Sequence, residues 1–311
     1  MQGLQAVMEE NQPAPVLPKK GRQAILRVIL YLLGVVLCSI PASVIAVPFV
    51  LRSMPSGGIQ PGMMPISLEI LAIFYLPYAI AVVIFTKYYV TLVDRRPFET
   101  FGLAREGRWS YELLVGVILG IGLPGLIFGI SCLAGWTHIT GSLFSQPPAR
   151  ILVVLVETLI ALIGVAITEE MIVRGYMLQT LNWGYGTAVA LIVSSLLFGM
   201  VHLFNPGATP LAFLGTAGAG LVLGYSYLVT RRLWLPIGWH FGWNFALGPI
   251  FGFPVSGIDI PSWVVQRTHG PALWTGGRFG PEASLMMLIV LLIGILAVRF
   301  TIPHQPSTIN H

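Results

Sequence analysis

Eight apolar runs, most close to the roughly 20 residues that cross a hydrocarbon core, constrain this chain more than any other feature. They fall at 24–50, 66–90, 112–135, 151–173, 187–203, 211–229, 235–253 and 284–301, the fifth and sixth being short. A backbone in lipid must satisfy its own polar groups, so each run is expected to be helical. Of 311 residues, 55% are hydrophobic and only 9% charged, against about 25% charged in soluble domains. Mean hydropathy is +0.82. The expected fold is all-α: a polytopic bundle of about eight transmembrane helices, multi-pass in the cell membrane and surrounded by the lipid bilayer.

Charge sets the expected orientation. With the N-terminus inside, twelve of the seventeen Lys and Arg residues fall on inner segments. Four (Arg52, Arg150, Arg267, Arg278) fall outside, and Arg174 lies near or within the membrane. Both termini are therefore expected to be cytoplasmic. The net charge of +5 then reflects topology, and no nucleic-acid partner is implied. Residues 1–23, polar and carrying Pro13, Pro15 and Pro18, read as a cytoplasmic tail. The apolar run behind them is too long for a signal-peptide core, so the first helix should stay uncleaved. Residues 24–135 hold the first three helices, 136–303 the core with its motifs within 150–250, and 304–311 a second cytoplasmic tail.

Within this frame, "DRRPFETFGLAREGRW" (94–109) is the largest inner connection. The outer segment 253–283, rich in Gly and Pro, is too polar to span and long for a plain connection. It reads either as a lid or as an interfacial loop anchored by Trp263 and Trp274. Cys38 and Cys132 fall inside spans as small apolar residues, with no disulfide framework. Gly116/Gly120, Gly125/Gly129 and Gly220/Gly224 are each four apart, a spacing that lets helices approach closely in lipid.

Three polar clusters interrupt the apolar runs, where ionisable groups are costly and usually face a cavity or a partner. In "TEEMIVRGYM" (168–177), Glu170 and Arg174 are four apart on one helical face, acid before base. Glu169 points about 100° away and is left without a local cation. The alternative is an interfacial charge cluster ending the fourth helix. In "SSLLFGMVHLF" (194–204), Ser195, Phe198 and His202 share a face; His202 reads as either a structural residue or part of a site. In "PIGWHFGWNF" (236–245), His240 and Asn244 stack one turn apart, which packing alone explains poorly. Trp239 and Trp243 occupy the neighbouring stripe and are expected to face lipid headgroups.

Together, one unpaired carboxylate, two histidines and an asparagine on separate helices can build a hydrolytic site. Glu169 can take a proton from water, His202 can share or relay it, and His240 with Asn244 can donate to an oxyanion. Glu169, His202 and His240 can equally hold a zinc ion with water in the open position. No H-E-x-x-H, no G-x-S-x-G and no glycine-flanked aspartate pair occurs.

The ordered set E-E-x-x-x-R (Glu169, Glu170, Arg174), F-x-x-x-H (Phe198, His202) and H-x-x-x-N (His240, Asn244) resembles the signature of the CAAX amino-terminal protease family. That family comprises type II CAAX prenyl endopeptidases and bacteriocin-processing relatives. The resemblance covers about residues 150–250. It implies an eight-helix intramembrane endopeptidase acting on a membrane-associated peptide or protein. Glu169 would activate water with His202, His240 and Asn244 would stabilise the oxyanion, and Glu170 and Arg174 would form a structural ion pair. The family is described both as metalloprotease and as metal-free, and the sequence leaves both open. The rival class is a non-hydrolytic membrane protein, a transporter or a scaffold or immunity factor on the same fold. A transporter would more often show repeated halves, and none is visible.

The helix edges carry one tension. They put Glu169 and His240 near the inner face, whereas His202, about 15 residues beyond Thr187, lies roughly 22 Å away from it. Either the fourth helix continues beyond Arg174, or the stretch Asn182 to Gly186 dips into the bilayer.

Overall fold

Each apolar run, so far as it is described, lies on a helix, because a backbone screened from water closes its hydrogen bonds locally. A computed structural model describes residues 21–53 and 68–302; the expected tails, apart from residues 21–23, and residues 66 and 67 of the second run lie outside them. Helix α1 (Gly21–Ser53) takes in those first three residues, expected as tail. Gly21 and Ala24 pack against Gly184 and Tyr185. Helix α2 (Leu68–Tyr88) runs on in π turns to Val93, and α3 spans Trp109–Leu133. Helix α4 (Pro148–Glu170) continues through a π-helical segment, Met171–Leu178, into α5 (Gln179–Tyr185). After the turn at Gly186 come α6 (Thr187–His202), α7 (Pro210–Thr230) and α8 (Trp234–Phe245), the last extended by π turns at Ala246–Ile250. A single turn, α9 (Ala272–Thr275), precedes α10 (Leu285–Thr301).

The chain is a helical membrane bundle. Five of its helical stretches among the described residues are long and apolar enough to cross a membrane: Gly21–Arg52, Ile70–Val93, Trp109–Leu133, Pro148–Tyr185 and Pro210–Thr230. The other three expected crossings are shorter, α6 with 16 residues, α8 with 12 and α10 with 17. The all-α expectation also missed a small antiparallel sheet. Strand β1 (Thr137–Ser142) pairs with β2 (Val264–Thr268), Thr137 opposite Thr268 and Ser142 opposite Val264. Its Thr, Ile and Val residues suit a pleated, half-exposed surface.

The continuation of α4 into α5 resolves the depth tension. Glu169 precedes Gly186 by 17 residues and His202 follows it by 16, so both lie roughly 25 Å from the turn at 1.5 Å per residue. Helix α8, in turn, does not start at the end of the bundle. Its leading residue Leu233 packs against Gly102 and Gly175, and the Leu233 N–H donates to Gly102 O at 2.8 Å. The 94–109 connection is thus a packed element. Gln179 Nε2 donates to Phe101 O at 2.9 Å and Trp234 Nε1 to Ala104 O at 2.9 Å. Starting level with Gly175, α8 lifts His240 to the height of Glu169 and Glu170.

Helices α3 and α8 meet backbone to backbone. A Cβ on Gly116 would lie 2.3 Å from Leu235 O, and one on Gly120 2.4 Å from Trp239 O. From the other side, a Cβ on Gly238 would lie 2.3 Å from Leu113 O and one on Gly242 2.7 Å from Val117 O. Gly220 likewise admits the backbone of Ser195, while Gly129 has nothing within 4 Å of the added atom. Gly120→Leu should therefore destabilise the fold by about 1–3 kcal/mol or more, as overpacking does, while Gly129→Leu should be neutral. Thermal melts of the two variants in detergent, compared with the parent chain, measure the difference.

Candidate active site

Glu170, at the last turn of α4, is fully buried, and its Oε1 accepts two hydrogen bonds. Arg174 Nη1 donates to it at 2.7 Å, and His240 Nδ1 donates from α8 at 2.8 Å. Arg174 is itself fully buried; its Nη2 reaches Gly220 O at 3.2 Å, and its guanidinium lies over the Phe198 ring at 4.6 Å. The Glu170–Arg174 pair thus forms as the four-residue spacing requires. It also holds His240, a contact the spacing could not reveal.

Glu169 points elsewhere. Its side chain is 28% exposed, its Oε2 lies 3.8 Å from His240 Nε2, and that oxygen has no hydrogen-bond partner. On α6, His202 Nδ1 donates to Phe198 O at 2.8 Å, so a neutral His202 presents Nε2 as an acceptor. The Phe198 ring sits between the two imidazoles, 4.7 Å from His202 and 6.2 Å from His240. Because Glu170 holds the Nδ1 proton of His240, that ring can also donate from Nε2 only when it carries both protons.

Glu169, His202, His240 and Asn244 all line one cavity of about 250 Å³. The structure therefore brings together the four residues picked out by the sequence and keeps Arg174 off the cavity wall. Besides Tyr75 of α2 and Thr216 of α7, three polar residues in connecting segments, Asn205, Ser256 and Glu282, stand on that wall and were not anticipated. They lie outside any periodic pattern, in connections where sequence spacing carries no information about depth. The 253–283 segment supplies Val255, Ser256, Ile258, Ile260 and Glu282 to the lining, so it forms part of the cavity wall. Trp263 meets Phe245 edge-on at 5.5 Å, and Trp274 stacks on Trp136 at 6.3 Å.

Trp239 and Trp243 correct an expectation. They are 2% and 5% exposed and do not face lipid headgroups. The α3–α8 contact turns their stripe inward, where Trp239 fills the space beside Gly294 of α10, and Trp243 Nε1 donates to Glu282 Oε1 at 3.0 Å.

The donor positions do not suit the zinc set expected from the sequence. Glu169 and His240 approach each other, but among the described residues no three His, Cys, Asp or Glu side chains group as a metal site. His240 Nδ1 is also committed to Glu170. In this arrangement Glu169, His202 and His240 do not close around an ion.

Fold and site together define a helical membrane protein with an internal carboxylate–imidazole–amide cavity. Residues 150–246, about a third of the chain, match the family model described as Type II CAAX prenyl endopeptidase Rce1-like, and this segment is similar to that family. No curated protein and no solved structure matches the chain.

Removing either member of a buried ion pair leaves the other charge uncompensated, at a cost of about 3–5 kcal/mol. Glu170→Gln should lower both the melting temperature and the yield of monodisperse protein in detergent. Arg174→Lys should do likewise, because a lysine cannot reach Glu170 and Gly220 O while stacking on Phe198. Size-exclusion profiles and melting curves check both; a well-folded, inactive Glu170→Gln would move Glu170 from scaffold to chemistry.

Proposed function

We propose that this protein is a glutamate-dependent intramembrane endopeptidase that hydrolyses a peptide bond of a membrane-associated peptide or protein, with both termini on the cytoplasmic side. The observation that carries the reading is the Glu169 carboxylate: its Oε2 is buried without a hydrogen-bond partner, and Glu169 lines a cavity shared with His202, His240 and Asn244. Hydrolysis needs a base beside the attacking water. Glu169 is the acid of the pair that Arg174 leaves free for that task.

In this mechanism Glu169 takes a proton from water as the oxygen attacks the scissile carbonyl carbon. The oxyanion that forms accepts from the Asn244 amide and from Nε2–H of doubly protonated His240, one helical turn apart. Preorganised donors of this kind act where charge develops and need no reorganisation. His202, whose Nε2 is the free acceptor of that ring, relays the proton to the leaving amine as the carbon–nitrogen bond breaks. A carboxylic acid and an amine leave, with no acyl-enzyme. The catalytic unit on this reading is the 136–303 core, with the first three helices as its support.

Glu169→Ala and His202→Ala should each give folded protein without activity. Asn244→Ala should cut turnover by about 10²–10³-fold, the usual effect of losing one oxyanion donor, and should change substrate binding much less. A fluorogenic membrane peptide, assayed with purified protein with and without chelator, measures all of these. Full activity in Glu169→Ala would end the proteolytic assignment at this site. Loss on chelation restored by zinc selects the metal version, and indifference to chelator selects the metal-free one.

A further inference from the structure

The cavity wall carries a second acid besides Glu169. Glu282, in the tight turn Pro281–Ala283 before α10, is 5% exposed and lines the same cavity. Its Oε1 accepts from Trp243 Nε1 at 3.0 Å, and its Oε2 accepts from Ser256 Oγ at 2.9 Å and from the Ser256 backbone N–H. Asn205 Nδ2 then donates to Ser256 O at 3.0 Å, tying the end of α6 to the same corner.

All three donors to Glu282 are neutral. They satisfy lone pairs but do not cancel charge, and no ion pair reaches Glu282 among the described residues. The cavity wall carries a second acid, Glu169, and neither lysine nor arginine. Arg174, the nearest cation to the catalytic group in sequence, is committed to Glu170 behind that wall. A desolvated carboxylate is costly unless it is paired; the imidazoles on the wall are His202 and His240, the latter held by Glu170, so pairing of Glu282 is left to a group that enters the cavity.

We infer that the cavity wall at Glu282 is a specificity subsite for a cationic group of the substrate, a protonated amine or guanidinium seated against the Glu282 carboxylate. The inference rests on the proteolytic reading of Glu169 and adds the chemistry of the substrate to it. A Glu282 that only ties the 253–283 segment to α8 would account for the three donors. It would confer no preference for charge in the substrate, and that difference is measurable.

The experiment uses the purified full chain and a series of fluorogenic apolar peptides. In each, one residue is lysine or the isosteric neutral norleucine, walked across the positions flanking the cleaved bond, with the amino terminus free or acetylated. The expected result is a kcat/KM higher by roughly 30-fold for the cationic peptide at one position, the lower end of what one partner of a desolvated charge pair contributes. Glu282→Gln should collapse that ratio towards unity. Sensitivity to lysine position identifies a side chain as the cation, and sensitivity to acetylation identifies the terminus; both support the subsite. Equal kcat/KM throughout, or a preference that survives in Glu282→Gln, overturns it while leaving proteolysis in place. Should Glu282→Gln not fold, inhibition of the parent protein decides: hexylammonium should outcompete hexanol and hexanoate, and equal potency refutes the subsite. If no peptide is cleaved at all, the proteolytic reading fails separately. Anisotropy of labelled lysine and norleucine peptides on Glu169→Gln then reads the charge preference directly.

Discussion

A buried carboxylate that accepts from two helices at once sets the conditions for everything around it. Glu170 binds Arg174 one turn along its own helix and His240 across the interface with α8. Arg174 extends the connection to α7 through Gly220 O and to α6 through the face of Phe198. One ion pair therefore touches four of the helical elements that line the cavity. In a low-dielectric interior such a pair adds little net stability but strongly penalises arrangements in which either charge is stranded. It specifies one relative setting of α4, α6, α7 and α8, and so one position for His240.

Close backbone packing makes that setting attainable. The four glycines between α3 and α8 bring the helix carrying His240 and Asn244 against its neighbour with no side chain intervening. In lipid, where apolar burial gives no advantage over contact with acyl chains, such close approach and its dispersion contacts are a main source of helix association. The π-helical stretch after Glu170 belongs to the same design. It interrupts the regular ladder next to the site, a place where π segments are often found, and continues into α5 so that Glu169 sits well inside the bundle. The 253–283 segment contributes to the cavity wall, held to α8 by the Trp243–Glu282–Ser256 bonds.

Much of this was legible from residue spacing. The apolar runs gave the helices, and the i, i+4 relation separated the paired acid Glu170 from the free acid Glu169. The motif positions 169, 202, 240 and 244 named residues that share one cavity. Three things were not legible. The burial of Trp239 and Trp243 depended on which neighbour α8 meets, and sequence spacing fixes only which side chains share a face. The recessed start of α8 depended on the 94–109 connection packing beneath it through Phe101 and Gly102, which its polar composition concealed. Glu282, Ser256 and Asn205 lie in irregular segments, where no period relates position in the chain to position in space.

Local rules acting along a single helix were therefore decided by the sequence itself: which segments are helical, which acid is neutralised by its own turn, and which polar groups share a face. They depend on nothing beyond 3.6 residues per turn and the cost of bare charge in an apolar medium. The tertiary structure decided depth and partnership. The level at which His240 meets Glu169 and the second bond that Glu170 makes to His240 both arise between segments far apart in the chain, as does the placing of Glu282 on the cavity wall. Such contacts are set by backbone approach at glycines and by the pairing of buried charges, and neither leaves a periodic mark in the sequence.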